Sequence, residues 1–241
     1  MQYPVTMTPE QEARIAQLKV WFEKALRNTG REGIEQVLNK LDEHGFYTAP
    51  ASSSFHLNEP GGLVLHSMHV FQMAKLLKQT LKDGHNMITK EPLLQDIDVL
   101  LPDDSIVIST LLHDVCKTAI YVQTMKRQKL PNGVWADALG YNLDYSWAPF
   151  GHGEKSVIML QNWGLRMTED EMLAIRWHMA AWDLPFQSAD EKSNLNAAKE
   201  HSPLITLVQM ADGMAAGIME TDWSATAASL KTMDEEERFL L

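Results

Sequence analysis

A chain of 241 residues, of which 45% are hydrophobic and 22% charged, has the composition of an ordinary globular protein and can bury a sizeable core. Its net charge of −11 argues against any role that depends on non-specific attraction to nucleic-acid phosphates, so we expect no duplex nucleic acid as a partner. Its one cysteine, Cys116, excludes an intrachain disulfide. The sequence has neither a signal-peptide-like start nor a long apolar run, which predicts a cytoplasmic protein without a membrane partner.

The first 62 residues predict two helices followed by a loop. Thr8 and Gln11 have the spacing of a capping box, which predicts a helix start, and the apolar residues that follow recur at helical spacing. A second helix is predicted over about 31–44. Residues 45–62 are rich in Pro, Ser and Gly, a composition that predicts a loop.

Two apolar patterns then predict that histidines lie in the interior. The helix predicted over 63–82 carries His66 on its apolar stripe. A run that starts near residue 104 is apolar on nearly every side, which predicts a buried central helix with His113 and Asp114 near its end. Because adjacent helical residues point about 100° apart, both side chains reach one metal only if the helix ends or distorts there.

The helical pattern is interrupted by a predicted β-hairpin over 120–145. Alternating residues flank a turn pattern at 131–133, which indicates two short strands inserted between helices. We find no linker and no internal repeat. The chain is therefore predicted to be a single, mostly α-helical domain with a small β-hairpin.

Helices are predicted again after the hairpin, and three of them carry chemically interesting residues. One begins near His152. A second opens with a capping box at Thr168 and contains His178. A third opens at Ser202, and its apolar residues surround Asp212.

Two carboxylates in apolar helices need an explanation, because burying an unpaired ionised Asp is costly. Asp114 and Asp212 therefore need a metal, a cation or several hydrogen-bond donors, and the helix stripes contain almost no Lys or Arg. Taken alone, His66, His178 and the His113-Asp114 pair are more simply core residues, whereas His152, among glycines at a helix start, favours a functional role. Imidazole and carboxylate together suit Mn, Fe, Co, Ni or Zn, and two metals that share a bridging carboxylate would use the whole set. The candidate ligands are His66, His113, Asp114, His152, His178 and Asp212.

The order His, His-Asp, His, His, Asp resembles the HD superfamily of metal-dependent phosphohydrolases. The resemblance spans about 45–220 and implies an HD-type helical bundle within a single domain over 1–241, preceded by N-terminal helices over 8–44. The segment 49–62 also looks like small bacterial and phage HD proteins, and the arrangement is similar to the HD part of the YhaM-type exoribonucleases. The matching stretches are Gly61–Ser67, Leu111–Lys117, Gly151–Ser156, Arg176–His178 and Gln209–Asp212.

The resemblance implies a site with two divalent transition-metal ions, each of them Mn, Fe, Ni, Co or Zn. Asp114 would bridge the two ions and help to orient a metal-activated water as a catalytic residue. The first ion would be held by His66, His113, Asp114 and Asp212, and the second by Asp114, His152 and His178.

The same resemblance implies a phosphomonoesterase or phosphodiesterase that acts on a small, nucleotide-like phosphate ester. Lys117 is the expected partner of the substrate phosphate or of the attacking water, and Lys155 and His56 are further candidates for phosphate contacts. A mononucleotide, a cyclic nucleotide and a short oligonucleotide all fit. We expect no nucleic-acid-binding barrel before the motifs, and this expectation together with the acidic charge argues against a polynucleotide.

Two alternatives stay open at the level of sequence. A few HD-fold proteins with this six-ligand order, myo-inositol oxygenase among them, hold two irons and use O₂ to cleave a C–C or C–P bond. A degenerate HD domain can instead act as a non-catalytic signalling module, although such domains usually lose ligands. The sequence fixes neither the native metal nor the exact substrate, the pathway or the oligomeric state.

Overall fold

The computed structural model describes residues 5–53, 56–118, 120–129, 133–144, 150–180 and 189–232. These residues are mostly helical and include one two-stranded antiparallel sheet, which confirms the predicted fold class. In the described ranges no helix is both long enough and apolar enough to cross a membrane.

The first helix begins where the sequence predicts, and the second begins at Ile34 instead of near residue 31. Helix α1 spans Pro9–Asn28, and Thr8 and Gln11 form the predicted capping box through reciprocal side-chain to backbone hydrogen bonds. Helix α2 spans Ile34–Glu43, and helix α3 spans Gly62–Asp83. Among its described residues, the predicted loop between α2 and α3 contains one short 3₁₀ turn, over Phe46–Thr48.

The central apolar run forms a helix that ends at the predicted place. A single turn, α4 (Ile97–Leu100), precedes helix α5, which spans Asp103–Leu112. His113 follows as the C-terminal cap, and the chain then enters a 3₁₀ turn over Val115–Lys117. The change of backbone direction at Asp114 lets two adjacent side chains point towards the same space, as the sequence argument required.

The inserted hairpin consists of β1 (Tyr121–Lys129) and β2 (Trp135–Leu143). The strands are antiparallel, and their register runs from Tyr121 opposite Leu143 to Lys129 opposite Trp135. Of the predicted turn at 131–133, Gly133 is described, and residues 131 and 132 lie outside the described residues.

Three helices of the C-terminal half start at the predicted positions, near His152, Thr168 and Ser202. The second capping box is confirmed, because Thr168 accepts a hydrogen bond from the backbone N–H of Glu171 and the Glu171 carboxylate accepts one from that of Thr168. Ser202 caps the helix that carries Asp212. The elements are α6 (His152–Asn162), α7 (Glu169–Trp177), α8 (Ala189–His201), α9 (Pro203–Met214), a π-helical turn (Ala215–Met219) and α10 (Ser224–Thr232).

Helices α3, α5, α7 and α9 pack against one another at the centre of the protein, and α6 packs on α7 and on the 3₁₀ turn after α5. Their contacts bury aliphatic side chains such as Val70, Ile108, Leu111, Ile175 and Val208. Every predicted metal ligand lies within these five helices or directly after one of them. The packing that forms the core therefore also sets the distances between the ligands.

Candidate metal centre

Two of the candidate ligands, His113 and His178, are each held at the C-terminal end of a helix by a hydrogen bond to a backbone carbonyl oxygen. His113 caps α5 and its Nδ1 lies 2.7 Å from the carbonyl oxygen of Thr110. His178 caps α7 and its Nδ1 lies 2.7 Å from the carbonyl oxygen of Ile175. Because a carbonyl only accepts, each Nδ1 must carry the proton, which leaves Nε2 to face the protein interior. Nε2 is therefore the atom available for a metal on both rings.

The carboxylate of Asp114 lies between two pairs of histidines. Its Oδ1 is 2.6 Å from Nε2 of His152 and 3.5 Å from Nε2 of His178. Its Oδ2 is 3.3 Å from Nε2 of His113 and 3.7 Å from Nε2 of His66. Each oxygen thus faces a different pair, which is the arrangement that a carboxylate bridging two metal ions requires.

Asp212 extends from α9 towards the pair formed by His66 and His113. Its Oδ1 lies 3.1 Å from Nε2 of His66 and 4.0 Å from Nε2 of His113, and these two nitrogens are 3.3 Å apart. The structure therefore brings all six predicted ligands together. Their donor atoms form three overlapping groups, each within 4.8 Å: His66 with His113 and Asp114, Asp114 with His152 and His178, and His113 with His178 and Asp212.

The structure adds two residues that the sequence argument missed. The buried carboxylate of Glu220 contacts Nδ1 of His66 at 3.0 Å and Nδ1 of His69 at 2.9 Å. Sγ of the buried Cys116 lies 3.3 Å from Nδ1 of His152. An acidic residue at the end of the apolar run 211–219 was detectable by the argument used for Asp114, whereas nothing in the sequence pattern pointed to the cysteine.

The charges of this cluster are strongly coupled. Burial opposes the charged form of Asp114, but Lys117 and the neighbouring imidazoles outweigh it and hold the pKa of Asp114 well below its usual range. Burial also opposes the charged form of His66, yet its hydrogen bonds to Asp212 and Glu220 raise its pKa to about 9. A metal ion that binds His66 must therefore displace a proton.

The buried imidazole nitrogens and carboxylate oxygens of the cluster are better explained by a bound transition metal than by hydrogen bonds among these residues alone. Nε2 of His178 is buried, and no group in the described part of the chain hydrogen-bonds to it. Three largely buried carboxylates, on Asp114, Asp212 and Glu220, lie within one cluster, and the ammonium group of Lys117 offsets one of these charges. Protonated imidazoles or bound cations must offset the rest. Imidazole nitrogens and carboxylate oxygens are ligands suited to first-row transition metals.

A cavity of about 330 Å³ opens onto the cluster. Lys117 lines it and places Nζ 2.6 Å from Oδ2 of Asp114. His56 also lines it, with its ring centroid 5.2 Å from that of His66. Lys155 is 5% exposed and is not one of the cavity-lining residues, so its predicted contact with a phosphate stays a prediction.

Gly153 allows α6 to approach α7 closely enough for His152 to reach the cluster. A Cβ at this position would overlap the carbonyl oxygen of Arg176 and lie 2.8 Å from that of Ile175. These are backbone atoms, so α6 would have to move away from α7.

We expect Gly153→Ala to lower the metal content of the half of the site that contains His152 and His178, while helix content, measured by circular dichroism, is retained. Gly213→Ala is the matched control, because its Cβ would meet nothing within 4 Å, and equal metal content in both variants would contradict the prediction.

Comparison of the chain with known proteins gave no match, since no family model, curated protein or solved structure is significantly similar to it. The resemblance to the HD superfamily therefore stays a prediction from the order of the motifs. A function for this chain is therefore inferred from the geometry of the cluster.

Proposed function

We propose that this protein is a metal-dependent phosphohydrolase that acts on a small, nucleotide-like phosphate ester. One observation carries the proposal: the two oxygens of Asp114 face two different pairs of histidines. Such a carboxylate supports a site for two metal ions, with Asp212 completing the half that contains His66 and His113.

Bound metal ions would lower the pKa of water and stabilise negative charge on phosphate oxygens. The residues of the chain supply the remaining functions in this proposal. Asp114 and the histidines hold their donor atoms in place, because the Nδ1 atoms of His113 and His178 are fixed by backbone carbonyls. Lys117 and His56 pair with the oxygens of the substrate phosphate from the cavity wall.

The size and charge of the cavity support a small anionic substrate. A volume of about 330 Å³ lies at the low end of the range for small-molecule sites. Lys117 lines this cavity but is paired with Asp114, so the positive charge that attracts a phosphate would come mainly from the bound metal ions. The net charge of −11 disfavours non-specific binding of a polyanion. Hydrolysis adds water across the P–O ester bond and releases an alcohol and a phosphate.

The proposal is tested by elemental analysis of freshly purified protein combined with a hydrolysis assay. We expect about two transition-metal ions per chain. We also expect release of p-nitrophenol from mono- or bis-p-nitrophenyl phosphate that stops with a chelator and returns with Mn²⁺, Co²⁺ or Ni²⁺. Activity should be the same with and without air.

Two outcomes would contradict the proposal. Protein that holds no metal after purification and after reconstitution would show that the six ligands serve another purpose. Protein that holds two irons, consumes O₂ and leaves the phosphate esters intact would favour the oxygenase alternative, which uses the same kinds of ligand.

A further inference from the structure

We propose that Glu220 is a positioning residue: its carboxylate holds Nδ1–H of His66 and thereby fixes Nε2 as the nitrogen that faces the metal centre. This inference rests on the proposed function, because it assigns His66 to a metal. It adds a residue outside the six predicted ligands, on a segment to which the sequence argument gave no role.

The contact between Glu220 and His66 is direct and buried. Oε1 and Oε2 of Glu220 lie 3.0 and 3.1 Å from Nδ1 of His66, and the side chains of these two residues are 0% and 1% exposed. The opposite ring nitrogen, Nε2, faces Asp212 at 3.1 Å and Asp114 at 3.7 Å. A carboxylate only accepts, so Nδ1 carries a proton while this contact lasts. Nε2 also faces a carboxylate, and its proton is the one that a metal bound between His66 and Asp212 would displace.

The carboxylate of Glu220 is itself anchored by a second histidine. His69 lies one turn after His66 on α3, and its Nδ1 is 2.9 Å from Oε1 of Glu220. His69 belongs to none of the groups of described residues whose donor atoms lie close enough to share a metal. Its contact with Glu220 gives it a supporting function, since two imidazole donors restrain the carboxylate better than one.

The backbone explains how a residue eight positions after Asp212 reaches the opposite side of His66. Helix α9 ends at Met214 and continues as a π-helical turn over Ala215–Met219, and the N–H of Glu220 bonds to the carbonyl of Ala215 at 3.0 Å. A π turn changes the angular position of every residue after it. One continuous segment therefore contacts both nitrogens of the His66 ring, with Asp212 at Nε2 and Glu220 at Nδ1.

Carboxylates that accept the second N–H of a metal-bound histidine fix its orientation and raise its basicity, and their loss typically weakens metal binding about 10- to 100-fold.

His56, His66 and Glu220 also have donor atoms within 4.8 Å of one another, a spacing that could itself hold a cation. The hydrogen bond between Glu220 and His66 favours the positioning role over a cation site, because it occupies Nδ1 of His66, the nitrogen that such a cation would need.

The test compares Glu220→Ala and Glu220→Gln with a matched control, Glu154→Gln. Glu154 lies two residues after His152, but its carboxylate pairs with Arg176 at 2.9 Å. Zn²⁺ affinity is measured by competition with a chelating dye. We expect Glu220→Ala to lower the affinity for one of the bound Zn²⁺ ions about 10- to 100-fold. Glu220→Gln should recover most of this loss, because its amide carbonyl still accepts the hydrogen bond, and Glu154→Gln should match the wild type.

A second readout does not depend on a bound metal. In metal-free protein with ¹⁵N-labelled histidine, the Nδ1–H of His66 should exchange slowly with water in the wild type and in Glu220→Gln. It should exchange rapidly in Glu220→Ala. If Glu220→Ala does not fold, Glu220→Asp, which withdraws the carboxylate by one methylene, takes its place with the same expectations.

The possible failures are distinguishable. Wild-type protein that binds no Zn²⁺ would overturn the proposed function, whereas normal Zn²⁺ binding with unchanged affinity and unchanged Nδ1–H exchange in Glu220→Ala would overturn the assignment of Glu220 alone. A third Zn²⁺ equivalent in the wild type that disappears in Glu220→Ala would make Glu220 a metal ligand and would also overturn the positioning role.

Discussion

Asp114→Asn is expected to abolish hydrolysis and to reduce the metal content of both halves of the site. The substitution keeps the shape of the side chain but replaces one carboxylate oxygen with an NH₂ group, which donates hydrogen bonds and does not bind a metal. Both oxygens of Asp114 face histidine pairs, so either orientation of the amide removes a ligand from one half and the negative charge from both. We expect activity to fall more than about 100-fold, beyond the range typical of residues that only support ligands.

This expectation is checked by elemental analysis and by the hydrolysis assay, with circular dichroism as the measure of folding. Asp103→Asn is the matched control, because Asp103 begins α5, the helix that Asp114 follows, and pairs with Lys78. It should keep both the metal content and the activity of the wild type. An Asp114→Asn protein with wild-type metal content and activity would show that the carboxylate is not a bridging ligand.

Glu171→Ala is expected to lower the free energy of unfolding by about 3 kcal/mol, which is the low end of the range for a broken buried ion pair. The carboxylate of Glu171 is fully buried and accepts two hydrogen bonds from Arg31, at 2.6 and 2.8 Å. It also accepts one from Ser105 and one from the backbone N–H of Thr168. The low end applies because Arg31 is 19% exposed and keeps some access to water after the substitution.

Urea unfolding, followed by circular dichroism, measures this effect. The control is Glu35→Ala, because Glu35 forms an ion pair with Arg27 in which both side chains are largely exposed. Exposed ion pairs contribute little to stability, so the midpoint of urea unfolding of this variant should be close to that of the wild type. Equal midpoints for the two variants would show that the network around Glu171 does not connect α5 and α7 as the structure indicates.

The local features of this protein were determined by its sequence. The capping boxes at Thr8 and Thr168 start helices at the predicted residues, because a cap is formed by side chains and N–H groups only three positions apart. The end of α5 at Leu112 and the burial of His66 also follow from the pattern of apolar residues. The single domain and the hydrolase activity remain predictions.

The partners of the buried charged groups were decided only by the tertiary structure. The capping role of Glu171 is local and predictable, but its partner Arg31 is 140 residues away in the sequence. The contact of Glu220 with His66 spans 154 residues and depends on a π turn that no periodicity indicates. Hydrophobic spacing specifies which face of a helix is buried, but not which side chain of another helix it meets. The pairing of the oxygens of Asp114 with the two histidine pairs depends on how α3, α5, α6 and α7 pack, and that packing is a property of the whole core.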